Sequence, residues 1–160
     1  MKIYLSIIIA ALVGEYLIRC LTRYFNLKAM VPDLPAEFDG FYDQEQYRKS
    51  QQYTRANTKF AYVSSSISLI VMLIFILMGG FNVLDIFVRS LELSPIPTGL
   101  IFFAILFLIS DWLSLPFSLY NIFVIEERFG FNKTTIRTFV LDKFKAYFLS
   151  AILGFVIMGS

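Results

Sequence analysis

The 160-residue sequence contains no histidine. That absence removes the commonest metal ligand and the commonest general base together. A single cysteine, Cys20, excludes an internal disulfide and any cysteine-built zinc cluster. Charge is scarce as well: 16% of the residues are charged, against about 25% in soluble domains. The net charge of +2 is too small to argue for a nucleic-acid partner. No phosphate-binding glycine loop, nucleophile elbow, HExxH, CxxC or dinucleotide fingerprint occurs, so the chain holds no self-sufficient catalytic constellation. No internal repeat or low-complexity tract is visible.

What is abundant is apolar surface. Hydrophobic residues make up 58% of the chain, 18 of them Phe, and the mean hydropathy is +0.69. The composition is that of a chain solvated by a lipid bilayer, and the expected class is an all-α, polytopic transmembrane bundle of about four membrane helices. The first apolar run, residues 3–21, is long enough to cross a hydrocarbon core of about 30 Å. Lys2 before it allows a signal peptide, but no small-residue cleavage pattern follows, and Glu15 and Arg19 continue the same helix. It reads as an uncleaved span.

Residues 22–58 are polar, and Met30–Gly40, "MVPDLPAEFDG", reads as an extended or turning segment. Asp43 with Gln46 forms a capping-box pattern that opens a long helix. This helix is expected to run through the second span, 60–79, and to stop at Gly79-Gly80, which leaves a long cytoplasmic extension on helix 2. Val83–Leu93 suits an amphipathic turn or helix at the interface. The third span, 99–125, contains Pro116, which bends a helix. The fourth, 138–158, is continuously apolar only from Ala146 to Met158. It breaks off at Gly159-Ser160, which leads us to expect a piece of a longer chain.

Twelve of the fourteen basic residues fall in or beside the loops 22–59 and 126–145; only Lys2 and Arg89 lie on the other side. The positive-inside rule therefore places both loops in the cytoplasm and the N-terminus outside or in a lumen.

Ser110, Ser114, Ser118 and Asn121 recur at four, four and three residues, on one helical face, with Asp111 at its border. Such a stripe either glues helices together or lines a water-filled cavity. An intramembrane carboxylate must be paired, protonated or wet, and a shallow Asp111 beside Trp112 also suits interfacial anchoring. Glu15 and Arg19 are spaced for a helical ion pair, and Arg19 and Arg23 can snorkel to the interface. Glu126 and Glu127 are adjacent, about 100° apart on a helix, and do not converge on one ion. They read as braces of the junction, one of them paired with Arg128. Gly130 is placed for a left-handed cap, with Phe129 and Phe131 pinning the corner. The glycosylation sequon at Asn132 falls on the cytoplasmic side and is set aside.

"LPFSLYNIFVIEERFGFNKTT" (Leu115–Thr135) followed by "FVLDKFKA" resembles the membrane segment that precedes the catalytic helix in type I CAAX prenyl endopeptidases. These are integral-membrane zinc metallopeptidases of the gluzincin type. "VPDLPAEFDGFYDQEQYRKSQQYTRANTKFAYV" resembles the first cytoplasmic loop of the same family, so the likeness covers about residues 20–150. It implies the N-terminal, chamber-wall part of such an enzyme, acting on apolar or prenylated peptides. The zinc ligands and catalytic glutamate of the family lie in a downstream catalytic domain of the same polypeptide, so no cofactor is expected within this chain. Pro116, Ser118, Tyr120, Glu126, Gly130, Phe131 and Asn132 match the family signature, and the resemblance gives them a supporting role. Phe129 stands where the family often has a histidine. A small transporter and a stand-alone membrane scaffold remain the rivals; a transporter is expected to show inverted repeats, which are absent.

Overall fold

A computed structural model describes residues 2–31, 34 and 43–159. Regular structure among the described residues is entirely helical. Five α-helices follow in order: α1 Lys2–Ala29, α2 Gln44–Leu77, α3 Gly80–Arg89, α4 Pro95–Tyr120 and α5 Ile136–Gly159. Between the last two, Asn121–Glu126 continues α4 as a π-helix.

α1 runs eight residues past the expected span end at Leu21, because nothing in "TRYFNLKA" breaks a helix before Pro32. Most of the 30–40 segment, expected to turn, lies outside the described residues. α2 starts where its sequence dictates. The Asp43 carboxylate accepts the Glu45 N–H at 2.9 Å and the Asp43 carbonyl accepts the Tyr47 N–H at 3.0 Å. A side-chain oxygen thus serves an otherwise orphaned N–H of the first turn. Gly79, at φ 72°, ends the helix in the left-handed region that side chains disfavour. The 34 residues of α2 extend about 51 Å, some 20 Å more than a bilayer core.

Among the described residues, three helices are long and apolar enough to cross a membrane: Ile3–Ala29, Gln44–Leu77 and Pro95–Glu126. α5 covers the fourth expected span but is not among them, since Asp142, Lys143 and Lys145 interrupt its apolar run. α3 occupies the stretch expected at the interface. It buries Leu84 and Val88, four residues apart, and pairs Asp85 with Arg89 across one turn at 2.9 Å. The hydrogen bond and charge of Asp85 hold the Arg89 guanidinium above its ordinary pKa.

The chain divides into two compact units. The first holds the residues up to Ile74 together with Leu119–Asn132; the second holds Phe75–Ser118 and the residues from Lys133 onward. Among the described residues only three hydrophobic side chains are buried, Leu84, Val88 and Ile125. Ile18, Phe103, Trp112 and Phe148 are each at least 62% exposed. Leaving such side chains in water forfeits about 1.5–3 kcal/mol apiece. This surface is built for lipid or for further protein.

Candidate functional site

In the first unit, α1 and α2 meet along a polar seam. The Arg23 guanidinium donates to the Ala61 carbonyl at 3.0 Å and the Ser65 hydroxyl at 2.8 Å, and lies over the Tyr62 ring at 5.8 Å. Tyr62 donates its hydroxyl to the Cys20 carbonyl at 2.9 Å, and the hydroxyls of Tyr16 and Ser66 share a hydrogen bond of 2.6 Å. A carbonyl and a serine hydroxyl on α2 lie within reach and satisfy the guanidinium in place. Glu15 and Arg19 form their pair across one turn, exposed on the outside. The Ser64-Ser65-Ser66 run was the available sign of this seam, because hydroxyls in an apolar helix need partners.

The corner after α4 is the second feature of this unit. Six residues adopt the wider π turn, and the Asn121 amide donates to the Glu126 carboxylate, five residues on, at 3.4 Å. In an α-helix that spacing would put the two side chains about 140° apart; the wider turn puts them side by side. The Glu127 carboxylate accepts from the Asn132 amide at 2.8 Å. The Glu126 carbonyl accepts two backbone N–H groups, from Phe131 at 2.9 Å and Asn132 at 3.3 Å. Gly130 makes the reversal possible at φ 67°. Phe129 and Phe131 set their rings edge-on to Tyr53 of α2 at 5.8 and 4.9 Å, and Lys49 lies over Phe131. The expected pairing of Arg128 with a glutamate is corrected: asparagine amides take both carboxylates, and Arg128 lies over the Phe129 ring at 5.9 Å. The π turn causes this, by rotating Glu126 toward Asn121. Nothing in the sequence marks a π turn directly. Asn121 Oδ1 and Gln51 Oε1 are buried with no hydrogen-bond partner among the described residues.

In the second unit, Asp111 of α4 pairs with Lys143 of α5 and accepts the Tyr147 hydroxyl. Both members of the ion pair are largely covered, at 17% and 26% exposure. Asp111 is thus a paired carboxylate. Its partners lie 32 and 36 residues away, beyond any local pattern. The serine face beside it is open. Ser110 and Ser114 are exposed and Ser118 half-buried. Ser114 donates to the Asp111 carbonyl at 2.8 Å and Ser118 to the Ser114 carbonyl at 3.2 Å, so each proton stays within the helix. The oxygen lone pairs remain available.

The residues present do not fit a zinc ion. Histidine is absent, both corner carboxylates are engaged by amides, and no three His, Cys, Asp or Glu side chains converge among the described residues. A zinc site requires three or four convergent donors.

Residues 23–160 match a protein family described as CAAX prenyl protease N-terminal, with five membrane helices. Among curated relatives, the probable CAAX prenyl protease 1 of Schizosaccharomyces pombe is 32% identical over 138 residues, covering 78% of this chain and 29% of that protein. The CAAX prenyl protease 1 homolog of Arabidopsis thaliana is 31% identical over 159 residues, 94% of this chain and 38% of its own length. The crystal structure of Ste24p from S. mikatae superposes with a TM-score of 0.82 at 29% identity, over 96% of this chain and 38% of that one. The chain thus spans 29–38% of the length of these proteins.

Proposed function

The chain belongs to the family of CAAX prenyl protease N-terminal membrane domains, and on that premise we propose that it forms the non-catalytic chamber wall of a zinc metalloendopeptidase. The substrates in this reading are prenylated or otherwise apolar peptides. Four spans, about 3–21, 60–79, 99–125 and 138–158, would pass through the bilayer, with the basic loops 22–59 and 126–145 in the cytoplasm and the N-terminus outside or lumenal. Zinc and its ligands would come from a catalytic domain further along the same polypeptide, since the donors here do not suit it.

Each residue then has a task that needs no metal. Ser110, Ser114 and Ser118 would present hydroxyl oxygens to water inside the membrane, where a hydrolytic reaction needs it, with Asp111 and Asn121, both hydrogen-bonded within the protein, bordering that lining. Asp111 adds no net charge there, because Lys143 neutralises it. Pro116, Ser118, Tyr120, Glu126, Gly130, Phe131 and Asn132 would shape the corner that hands the chain over to the catalytic part. Glu15 and Arg19 are structural.

The observation that carries the proposal is the open serine face of α4. A helix otherwise this apolar needs no such face to act as an anchor, whereas a wet wall does. The test is to read the transcript beyond the codon for Ser160 and to assay two polypeptides against a farnesylated peptide. The full-length product should contain an HExxH helix and cleave in a zinc-dependent manner; residues 1–160 alone should not cleave. Tight stoichiometric zinc and proteolysis by residues 1–160 alone would overturn the proposal. A reading frame closing after Ser160 would favour a membrane scaffold.

A further inference from the structure

A cleft of about 290 Å³ lies within the first unit, between α2 and the π-helical segment with its flanks. Lys59 and Arg128 border it. Neither has a carboxylate within ion-pair distance among the described residues. The two walls run antiparallel: Phe60 stacks on Tyr120 at 4.9 Å, while Tyr53, two turns earlier in α2, meets Phe129 and Phe131. Lys59 immediately precedes the apolar run of α2, and Arg128 closely follows that of α4 and its π turn. Both cations therefore stand at the same polar–apolar boundary. Helical side chains lean toward the N-terminus, so Lys59 leans away from the apolar run and Arg128, on the antiparallel wall, back toward it. About one turn deeper the walls are Val63 and Val124, both about half exposed.

We propose that this cleft binds one anionic phospholipid. The phosphate sits between Lys59 and Arg128, the glycerol backbone lies against Tyr120, and the first methylenes lie along Val63 and Val124. Two cations with no carboxylate partner among the described residues complement a phosphate, and basic pockets between helices at a membrane surface select anionic headgroups. The apolar lower wall selects a lipid over free phosphate. The cleft is too small for a whole lipid, so the acyl chains continue into the bilayer. This site depends on the chain being membrane-embedded and is independent of any peptidase role.

The test uses the full-length protein, extracted in mild detergent from membranes containing phosphatidylglycerol and phosphatidylcholine. Lipid retained per protein is counted by native mass spectrometry. One phosphatidylglycerol should remain bound in preference to phosphatidylcholine. Lys59→Gln or Arg128→Gln should each weaken retention about fivefold, and the pair about thirtyfold, as expected for about 1 kcal/mol per charge near a membrane surface. Val63→Trp, which fills the apolar wall while keeping both charges, should also release the lipid. Arg55→Gln with Arg137→Gln removes the same charge elsewhere and should change retention less than twofold. Equal loss in this control would mean diffuse attraction and overturn the site. So would indifference to headgroup, one-for-one displacement by a farnesylated peptide with a free carboxylate, or the absence of retained lipid because other protein covers the cleft. Monodispersity on gel filtration separates each result from misfolding.

Discussion

Arg23 of α1 reaches the Ser65 hydroxyl of α2 at 2.8 Å and, with a second bond to the Ala61 carbonyl, ties two membrane helices by a single guanidinium. Hydrogen bonds between membrane helices contribute about 0.6 kcal/mol on average, and bonds to charged groups more. Arg23→Met should cost about 1–2 kcal/mol in a detergent-unfolding titration, and Ser65→Ala about 0.6 kcal/mol. The double variant should lose less than the sum, because both changes remove one shared bond. Strict additivity would show that the bond contributes nothing.

Asp111 and Lys143 form a pair whose members are far from equivalent to their isolated charges. Removing one partner leaves an uncompensated charge, which costs about 3–5 kcal/mol in buried settings and less where water reaches it. Lys143→Met should therefore destabilise the fold by about 2–3 kcal/mol. Adding Asp111→Asn should recover more than half of that loss, since the amide still accepts from Tyr147 without a charge to neutralise. Failure of the second change to rescue would mean that Lys143 acts elsewhere.

Gly130 holds φ 67°, and a Cβ there would meet only the Lys49 ammonium, at 3.3 Å. That flexible group can move aside, so the cost of Gly130→Ala is backbone strain of about 1–2 kcal/mol. Gly130→Asn should cost less than Gly130→Ala, because asparagine enters the left-handed region more readily. Unfolding midpoints in the same titration give the order; alanine equal to glycine would contradict it.

The helices were legible because their boundaries are local chemistry. Asp43 caps α2 through its own side chain, and Gly79 and Gly130 stand where left-handed backbone is required. Hydrophobic runs likewise announced the three helices long and apolar enough to cross a membrane among the described residues. What the sequence withheld is either non-local or geometrically unusual. Lys143 and Tyr147 give no hint that they meet Asp111, because pairing across more than thirty residues depends on how helices pack. The π turn changes angular spacing from within, so Glu126 faces Asn121, a pairing that α-helical spacing does not announce. Arg23 likewise meets a carbonyl and a serine hydroxyl of α2 that lie 38 and 42 residues away, contacts no local pattern announces.

The serine face of α4 gives the most direct measurement. In full-length protein freed of its native cysteines, Cys20 among them, single cysteines at Ser110, Ser114 and Ser118 are compared with cysteines at Ile105 and Trp112, on the opposite side of the helix. Each is exposed to a charged, membrane-impermeant thiol reagent in intact membranes. Water-filled space beside α4 predicts rapid labelling at the three serine positions and little at the other two. Serine positions that stay inert to this reagent, yet react with a lipid-soluble maleimide, would contradict a wet chamber wall.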